Sequence, residues 1–315
     1  MKPLVSIILP VYNSATTVSD TLQSLIDQTY NNLEIIIIDD GSTDNSLEIV
    51  SVFSDPRIKI FKQSHKGPGP QRNFGIKNST GKYIALIDAD DVAVKNRIEK
   101  QIDYLLKNTE VQILGSNAYF IDSTGRITGK YEVPIKDIGY YFQIFCPVIT
   151  SSIIFKSEII NHIGYFRDVL EPGTDYEWLL NAYKFGIQIR NSDEKLMRVR
   201  RSKSSYTKIN DNFLKKKMFS ITNSTIENFF KNKEKDYDYF FKKGLIYYYY
   251  SNVNIGRKYF YSCIKNKPNK LLINLRYLIP SFLGNGLINF FRNANISYQI
   301  NRLFQLVGLN IAYKR

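Results

Sequence analysis

Short apolar runs recur along the first third of the chain: LVSIIL at 4–9, LEIIIID at 33–39, RIKIFK at 57–62 and YIALID at 83–88. Runs so rich in Ile and Val, and so nearly unbroken, suit strands buried on both faces. Between them the period changes. Val18, Leu22, Leu25 and Ile26 fall on one helical stripe within 16–29, and 44–54 opens on a Ser-Thr-Asp cap signal. Starts spaced roughly 23–29 residues apart predict repeated β-α units, hence an α/β, Rossmann-like, mostly parallel sheet with helices on both faces. Beyond it, Ile98, Ile102, Leu105 and Leu106 make 94–107 an amphipathic helix.

From about 111 the pattern shortens to strands and loops (VQILGS, SSIIF), with a helix near 175–185. From about 205 aromatic and basic residues dominate and helices are expected, punctuated by Pro268, Pro280 and several Gly. Within that region 244–268 resembles one helix-turn-helix unit of the tetratricopeptide type. The expected organisation is therefore 1–110, 111–204 and a mainly helical 205–315.

Composition changes this picture at one point. The 315 residues are 43% apolar and 23% charged, ordinary for a globular chain, but the net charge of +14 is uneven. Residues 1–204 hold 24 basic and 24 acidic side chains, whereas 205–315 hold 19 basic and 5 acidic. A balanced body with a basic tail suggests work at a charged surface. Cys146 and Cys263 have no metal spacing and read as reduced thiols of a cytosolic protein. The N-terminal apolar run, ending at Pro10, is too short for a signal-peptide core and reads as a strand.

Chemistry gathers at the expected strand ends. In a parallel sheet, ligands bind beyond the carboxyl ends of the strands. Four such ends carry polar signals: PVYNS (10–14), DDGSTD (39–44), HKGPGPQRN (65–73) and DADD (88–91). The second presents Asp39 and Asp40 as acceptors on a tight turn that Gly41 permits. The third is a Gly- and Pro-rich segment ending in Arg72, a partner for diphosphate. The fourth crowds Asp88, Asp90 and Asp91 at the lip of the core, a cost that a hard divalent cation with oxygen ligands removes. Each signal also has a plain structural reading: DDGSTD as a turn and helix cap, Arg72 as a surface residue, Asp175 as a helix N-cap in GTDYEW. What favours function is their order, which suits one nucleotide diphosphate and a metal spanning the sheet edge.

Three segments taken together, 5–46, GPQRNFGI and GKYIALIDADD, resemble the family 2 glycosyltransferases of bacterial surface-polysaccharide synthesis. The resemblance is dense over 1–110 and looser to about 200. It implies a GT-A fold, a sugar-nucleotide donor with UDP the family's usual nucleotide, a divalent metal (Mn²⁺ or Mg²⁺), and transfer with inversion at the anomeric carbon. Under it, 1–110 binds the donor and 111–204 the acceptor, a saccharide or lipid-linked sugar. Pro10 and Tyr12 match positions around base and ribose, and Asp40 with Asp39 beside it matches the carboxylate at the base edge. Arg72 matches the basic residue behind base and diphosphate, Asp88 the acid near the ribose, and Asp90 the metal ligand. Asp175, in TDYEWLL, is the counterpart of the general base. Three positions depart from the family pattern: Thr174 replaces a Glu, His65 an Asn and Gln71 an Ala, and Glu177 stands as the reserve base. The Gln-x-x-Arg-Trp signature of processive synthases is missing, so one sugar per acceptor is expected.

Three rivals share parts of this pattern. A Rossmann dehydrogenase would need G-x-G-x-x-G where this chain has PVYNSAT. A nucleic-acid module would use the basic tail but leave the acids at 88–91 unexplained, so no nucleic acid is expected. An inactive sugar-nucleotide-binding adaptor would follow if Thr174 marked a lost base. Neither His65 nor His162 has a catalytic partner in sequence. The tail segment 271–291 is apolar, yet Arg276, Pro280 and the Gly284/Gly286 pair argue against a spanning helix. It reads either as a buried helix pair or as an interfacial segment, and the second would place a cytoplasmic enzyme peripherally on an anionic membrane.

Overall fold

The structure is a computed structural model that describes residues 2–169, 171, 173–201, 211–232 and 235–266. The chain divides between Leu214 and Lys215 into two compact units.

The first unit is built on one sheet. Strands β1 (Val5–Val11), β2 (Leu33–Asp39), β3 (Ile58–Lys62) and β4 (Tyr83–Leu86) are all parallel, and every residue of β1, β2 and β4 is buried. Helices α1 (Val18–Ile26), α2 (Ser46–Ser51) and α3 (Pro68–Lys77) connect them. After β4 come β5 (Val92–Ala93), α4 (Arg97–Lys107), β6 (Ile113–Ile121) and β7 (Ile127–Tyr131). They are followed by short α5 (Ile138–Tyr141), a 3₁₀ turn Thr150–Ser152, β8 (Ile154–Lys156), short α6 (Ile160–Ile163), α7 (Thr174–Lys184) and β9 (Ile189–Arg200).

Strand order is β3-β2-β1-β4-β8-β6-β9-β5, with β7 paired to β6. The first four strands are parallel, and β8 enters antiparallel between β4 and β6. Four inter-strand steps separate β4 from β5 along this path, about 19 Å on a flat sheet. Only five residues lie between Leu86 and Val92, and they turn on an Asp91 N–H to Asp88 carbonyl bond of 3.1 Å. The sheet must therefore curl, bringing β9 and β5 round to the C-terminal end of β4.

The helix over 68–77 corrects the reading of 65–73 as strand-end loop. Pro68 sits at the first helical position, where no N–H is needed and the fixed φ is already helical. Arg72 thus projects from a helix.

At the opposite sheet edge a buried carboxylate ties three strands. Glu34 accepts from Ser6 Oγ (2.5 Å), Lys59 Nζ (2.7 Å) and both the N–H and hydroxyl of Thr80 (2.8 and 2.9 Å). Gly81 lets the chain pass close by, since a Cβ there would lie 2.6 Å from Ser6 N. Burial pushes the Glu34 carboxyl up, but the bonds from Lys59, Ser6 and Thr80 outweigh it and hold it at about 2.

The second unit holds most of α8 (Asp211–Phe230), with α9 (Tyr237–Tyr250) and α10 (Val253–Asn266), among the described residues. The Asp236 side chain caps α9, accepting from the N–H groups of Asp238 and Tyr239 at 3.0 and 3.3 Å. α9 and α10 form a helix-turn-helix in which Gly244 lies against Phe260. The segment 271–291 lies outside the described residues.

Candidate functional site

The polar strand ends do meet at one sheet edge, and side-chain bonds lock their loops together. Asn13, at φ 47°, accepts from Thr43 N–H at 2.8 Å, while Ala15 N–H and Ser14 N–H donate to Asp44 and Ser46 at 3.0 and 2.7 Å. The loops after β1 and β2 are thereby zipped into one floor. Gly41 adopts φ 75°, the left-handed turn that its lack of a Cβ allows. Pro10 is buried within β1, and Tyr12 just beyond it is 41% exposed.

The two acids after β2 do different things. Asp40 is fully buried and holds the 63–67 segment. It accepts from Gln63 Nε2 at 2.5 Å, from the N–H groups of Lys66 and Gly67 at 3.1 and 2.8 Å, and pairs with His65 Nδ1 at 3.0 Å. Asp39 accepts from Ser42 N–H on Oδ2 at 3.4 Å, while its buried Oδ1 has no hydrogen-bond partner among the described residues. His65, without a partner in sequence, gains two in space, since its ring also stacks on Tyr12 with centroids 4.0 Å apart. Gln71 sews the ends of β1 and β2 together by donating to the carbonyls of Val11 and Ile38 at 2.9 and 2.5 Å.

The centre of the edge is Arg72, only 6% exposed. Its Nη2 donates to Asp88 Oδ1 at 2.6 Å, and its Nε–H has no partner among the described residues. Burial pulls this guanidinium down, but the charges of Asp88 and then Asp175 more than restore it, leaving it raised. Asp175 therefore lies in the field of the same arginine. It occupies the first turn of α7 rather than the cap, which is Gly173. Its Oδ2 accepts from Thr150 Oγ1 at 2.6 Å and its Oδ1 from Tyr176 N–H at 2.9 Å. Glu177 on the same turn pairs with Arg167 Nε at 3.2 Å. α3 and the segment before α7 are stapled by Asn73, which exchanges two bonds with the Phe166 backbone at 2.8 and 2.9 Å.

Beyond Asp88, the turn is clamped by Arg200 at the end of β9. Its N–H donates to Asp91 Oδ1 at 2.9 Å, Nε to the Asp90 carbonyl at 3.0 Å, and Nη2 to Asp20 at 3.1 Å. Burial, then the charges of Asp90 and Asp88, push the Asp91 carboxyl well up. Asp90 is half-buried; burial and then Asp88 push its carboxyl up to about 6. Crowded hard oxygens that resist ionisation fit a divalent cation, which would relieve both penalties. Among the described residues no three His, Cys, Asp or Glu side chains are grouped to hold an ion.

Sequence reasoning missed Thr150, Ser151 and Arg200. Their partners lie 25, 63 and about 110 residues away, so no local pattern marks them.

Comparisons with known proteins speak to the family and the fold. The model of the family described as Glycosyl transferase family 2 matches residues 6–166. A UDP-Glc:alpha-D-GlcNAc-diphosphoundecaprenol beta-1,3-glucosyltransferase of Escherichia coli, WfaP, is 35% identical over 192 residues, 60% of this chain and 74% of its own length. Of two further curated glycosyltransferases, from Haemophilus influenzae and Rickettsia conorii, the chain spans only 48% and 38%. Among solved structures, S. aureus TarS 1-349 in complex with UDP-GlcNAc superposes with a TM-score of 0.56 at 18% identity, over 93% of this chain and 92% of that one. The mannosyltransferase PcManGT from Pyrobaculum calidifontis, in complex with GDP-Man and Mn²⁺, gives 0.58 at 14% identity, over 97% and 88%. At such identities these two likenesses speak for the fold, and that fold is GT-A.

Proposed function

Because the chain belongs to glycosyl transferase family 2, we propose that it moves one sugar, with inversion, from a UDP-sugar to a saccharide or lipid-linked acceptor in surface-polysaccharide synthesis. The observation that carries this reading is Arg72, buried between Asp88 and Asp175 at the carboxyl edge of the parallel strands. A donor-side acid, a diphosphate-binding cation and a candidate base then share one cleft.

Tyr12 and Pro10 flank the base and ribose. Asp39 offers its free oxygen to the base edge, and Asp40 shapes the same slot through the 63–67 segment. Asp88 faces the ribose, and Arg72 turns its free N–H toward the diphosphate. Asp175 takes the proton of an acceptor hydroxyl, whose oxygen bonds to the anomeric carbon from the face opposite the nucleotide. The bond from that carbon to the diphosphate breaks, and its electron pair leaves on the nucleotide. A Mn²⁺ or Mg²⁺ ion held by Asp90 would supply charge stabilisation to the departing diphosphate.

The Escherichia coli relative is named for a UDP-Glc donor and a diphosphoundecaprenol-linked acceptor, and both chemistries are carried here as proposals. No helix among the described residues is long and apolar enough to cross a membrane. A lipid-linked acceptor would instead be met by peripheral association through the basic 205–315 region, with the enzyme on the cytoplasmic side.

A thermal-shift series with UDP-, GDP- and dTDP-sugars, with and without Mn²⁺, tests the donor reading, because a ligand that binds only the folded state raises its stability. Stabilisation by UDP-sugars that deepens with Mn²⁺ is expected. Equal shifts with all three nucleotides, or none, would overturn it.

A further inference from the structure

The 3₁₀ turn Thr150–Ser152 touches both acids of the cleft with adjacent hydroxyls. Thr150 Oγ1 donates to Asp175 Oδ2 at 2.6 Å, and Ser151 Oγ donates to Asp88 Oδ2 at 2.9 Å. The other Asp88 oxygen takes Arg72, and the other Asp175 oxygen takes the Tyr176 N–H. Both carboxylates are thus held at both oxygens.

The turn is itself anchored. Ser152 Oγ donates to the Ile149 carbonyl at 2.7 Å and accepts from Ser116 N–H at 3.0 Å. Gln101 Nε2 donates to the Ser152 carbonyl at 2.7 Å, and Arg97 Nη2 donates to the carbonyls of Leu86 and Ile153 at 2.9 and 3.2 Å. Gln101 and Arg97 are fully buried on α4. Because Leu86 ends β4, the same arginine grips the strand that leads into the DADD turn and the strand that follows the hydroxyls. A constellation supported this way holds its geometry while substrates come and go.

We propose that Thr150 is the positioning residue for Asp175 and Ser151 the positioning residue for Asp88, so that one rigid turn fixes the base-side acid relative to the donor-side acid. This rests on Asp175 acting as the base. A carboxylate rotates about its Cβ–Cγ bond unless something holds it, and proton abstraction falls off steeply with misplacement. A hydroxyl suits the task. It donates to the carboxylate without adding a charge, where the Arg72 guanidinium already lies in the field of Asp175.

The two neighbours should separate kinetically. The full chain is assayed with UDP-glucose and UDP-GlcNAc and a synthetic GlcNAc-diphospho-lipid acceptor, reading UDP release, while calorimetry measures UDP binding. Thr150→Val should lower kcat by about 10- to 100-fold with donor KM and the Kd of UDP within about twofold, and Thr150→Ser should restore it. Ser151→Ala should instead raise donor KM. Thr150→Val added to Asp175→Asn should cost nothing further, since a held group that no longer acts need not be held. Normal kcat in Thr150→Val, no rescue by Thr150→Ser, or a full additional loss in the double variant would overturn the proposal. If Asp175→Asn is crippled and Thr150→Val is not, the proposal alone fails. If Asp175→Asn turns over normally, the base reading fails and takes the proposal with it.

Discussion

Replacing Glu34 by Gln removes one buried charge from the non-catalytic edge of the sheet and leaves its shape. In the fold this carboxyl is 5% exposed and held at about 2, against an ordinary value of 4.5. A carboxyl held one pH unit below its ordinary value favours the fold by ~1.4 kcal/mol, so the ionised form of Glu34 contributes about 3 kcal/mol to folding. The sign follows from the depression: this contribution is fully present above pH 4.5 and is lost as pH falls toward 2. The protein's one tryptophan, Trp178, belongs to the first unit and reports on it alone, so urea unfolding followed by its fluorescence isolates the relevant transition. At pH 7 Glu34→Gln should be less stable than the parent by about 3 kcal/mol, a midpoint drop of roughly 1–3 M urea for the usual range of slopes. Between pH 4.5 and pH 2.5 the two curves should converge as the parent loses its advantage. A difference that stays constant over this range would refute the reasoning. So would a difference below about 1 kcal/mol at pH 7, a single ordinary hydrogen bond's worth.

Asp90→Asn should abolish Mn²⁺-assisted UDP binding in calorimetry while the fold survives. Because the Asp90 carboxyl is raised, its ionisation opposes folding above about pH 4, so the metal-free variant should melt higher than the parent at pH 8 and equal it near pH 4. Asp175→Asn should keep the Kd of UDP and lower kcat by roughly 10²–10⁴-fold, as general-base loss does; near-normal turnover would move the role elsewhere, with Glu177 next in line. The full chain should co-sediment with anionic vesicles at low salt and be released at high salt, and equal binding to neutral vesicles would remove the electrostatic tail from the account.

The parallel strands at the start of the chain were legible because burial on both faces leaves an unmistakable apolar run: all seven residues of β2 are buried, and all seven lie within the run LEIIIID. β9 was not legible. Its twelve residues include NSDEK, its burial is irregular, and its pairing with β6 shifts register near Ser116 and Asn117. α3 was hidden by its two prolines, which mark a loop by composition yet sit in a first helical turn where they cost nothing. The acids of the cleft were visible as acids, but what each one holds was not. Asp40's bonds to the 63–67 segment and Thr150's bond to Asp175 depend on loops meeting across the fold.

The Arg200 clamp gives the fold a timetable. Asp88, Asp90 and Asp91 leave the ribosome in one stretch, but the N–H and guanidinium that fix Asp91 and the Asp90 carbonyl follow 109 and 110 residues later. At cellular synthesis rates of roughly 5–20 residues per second, the acids wait about 5–20 s for their clamp. During that interval β5 has no β9 to pair with, so three mutually repelling carboxylates sit on an open end of the nascent sheet. The clamp on this turn therefore arrives late and abruptly, with the last strand of the unit. A chain interrupted before residue 189 would carry Asp90 and Asp91 without the Arg200 contacts that fix their turn.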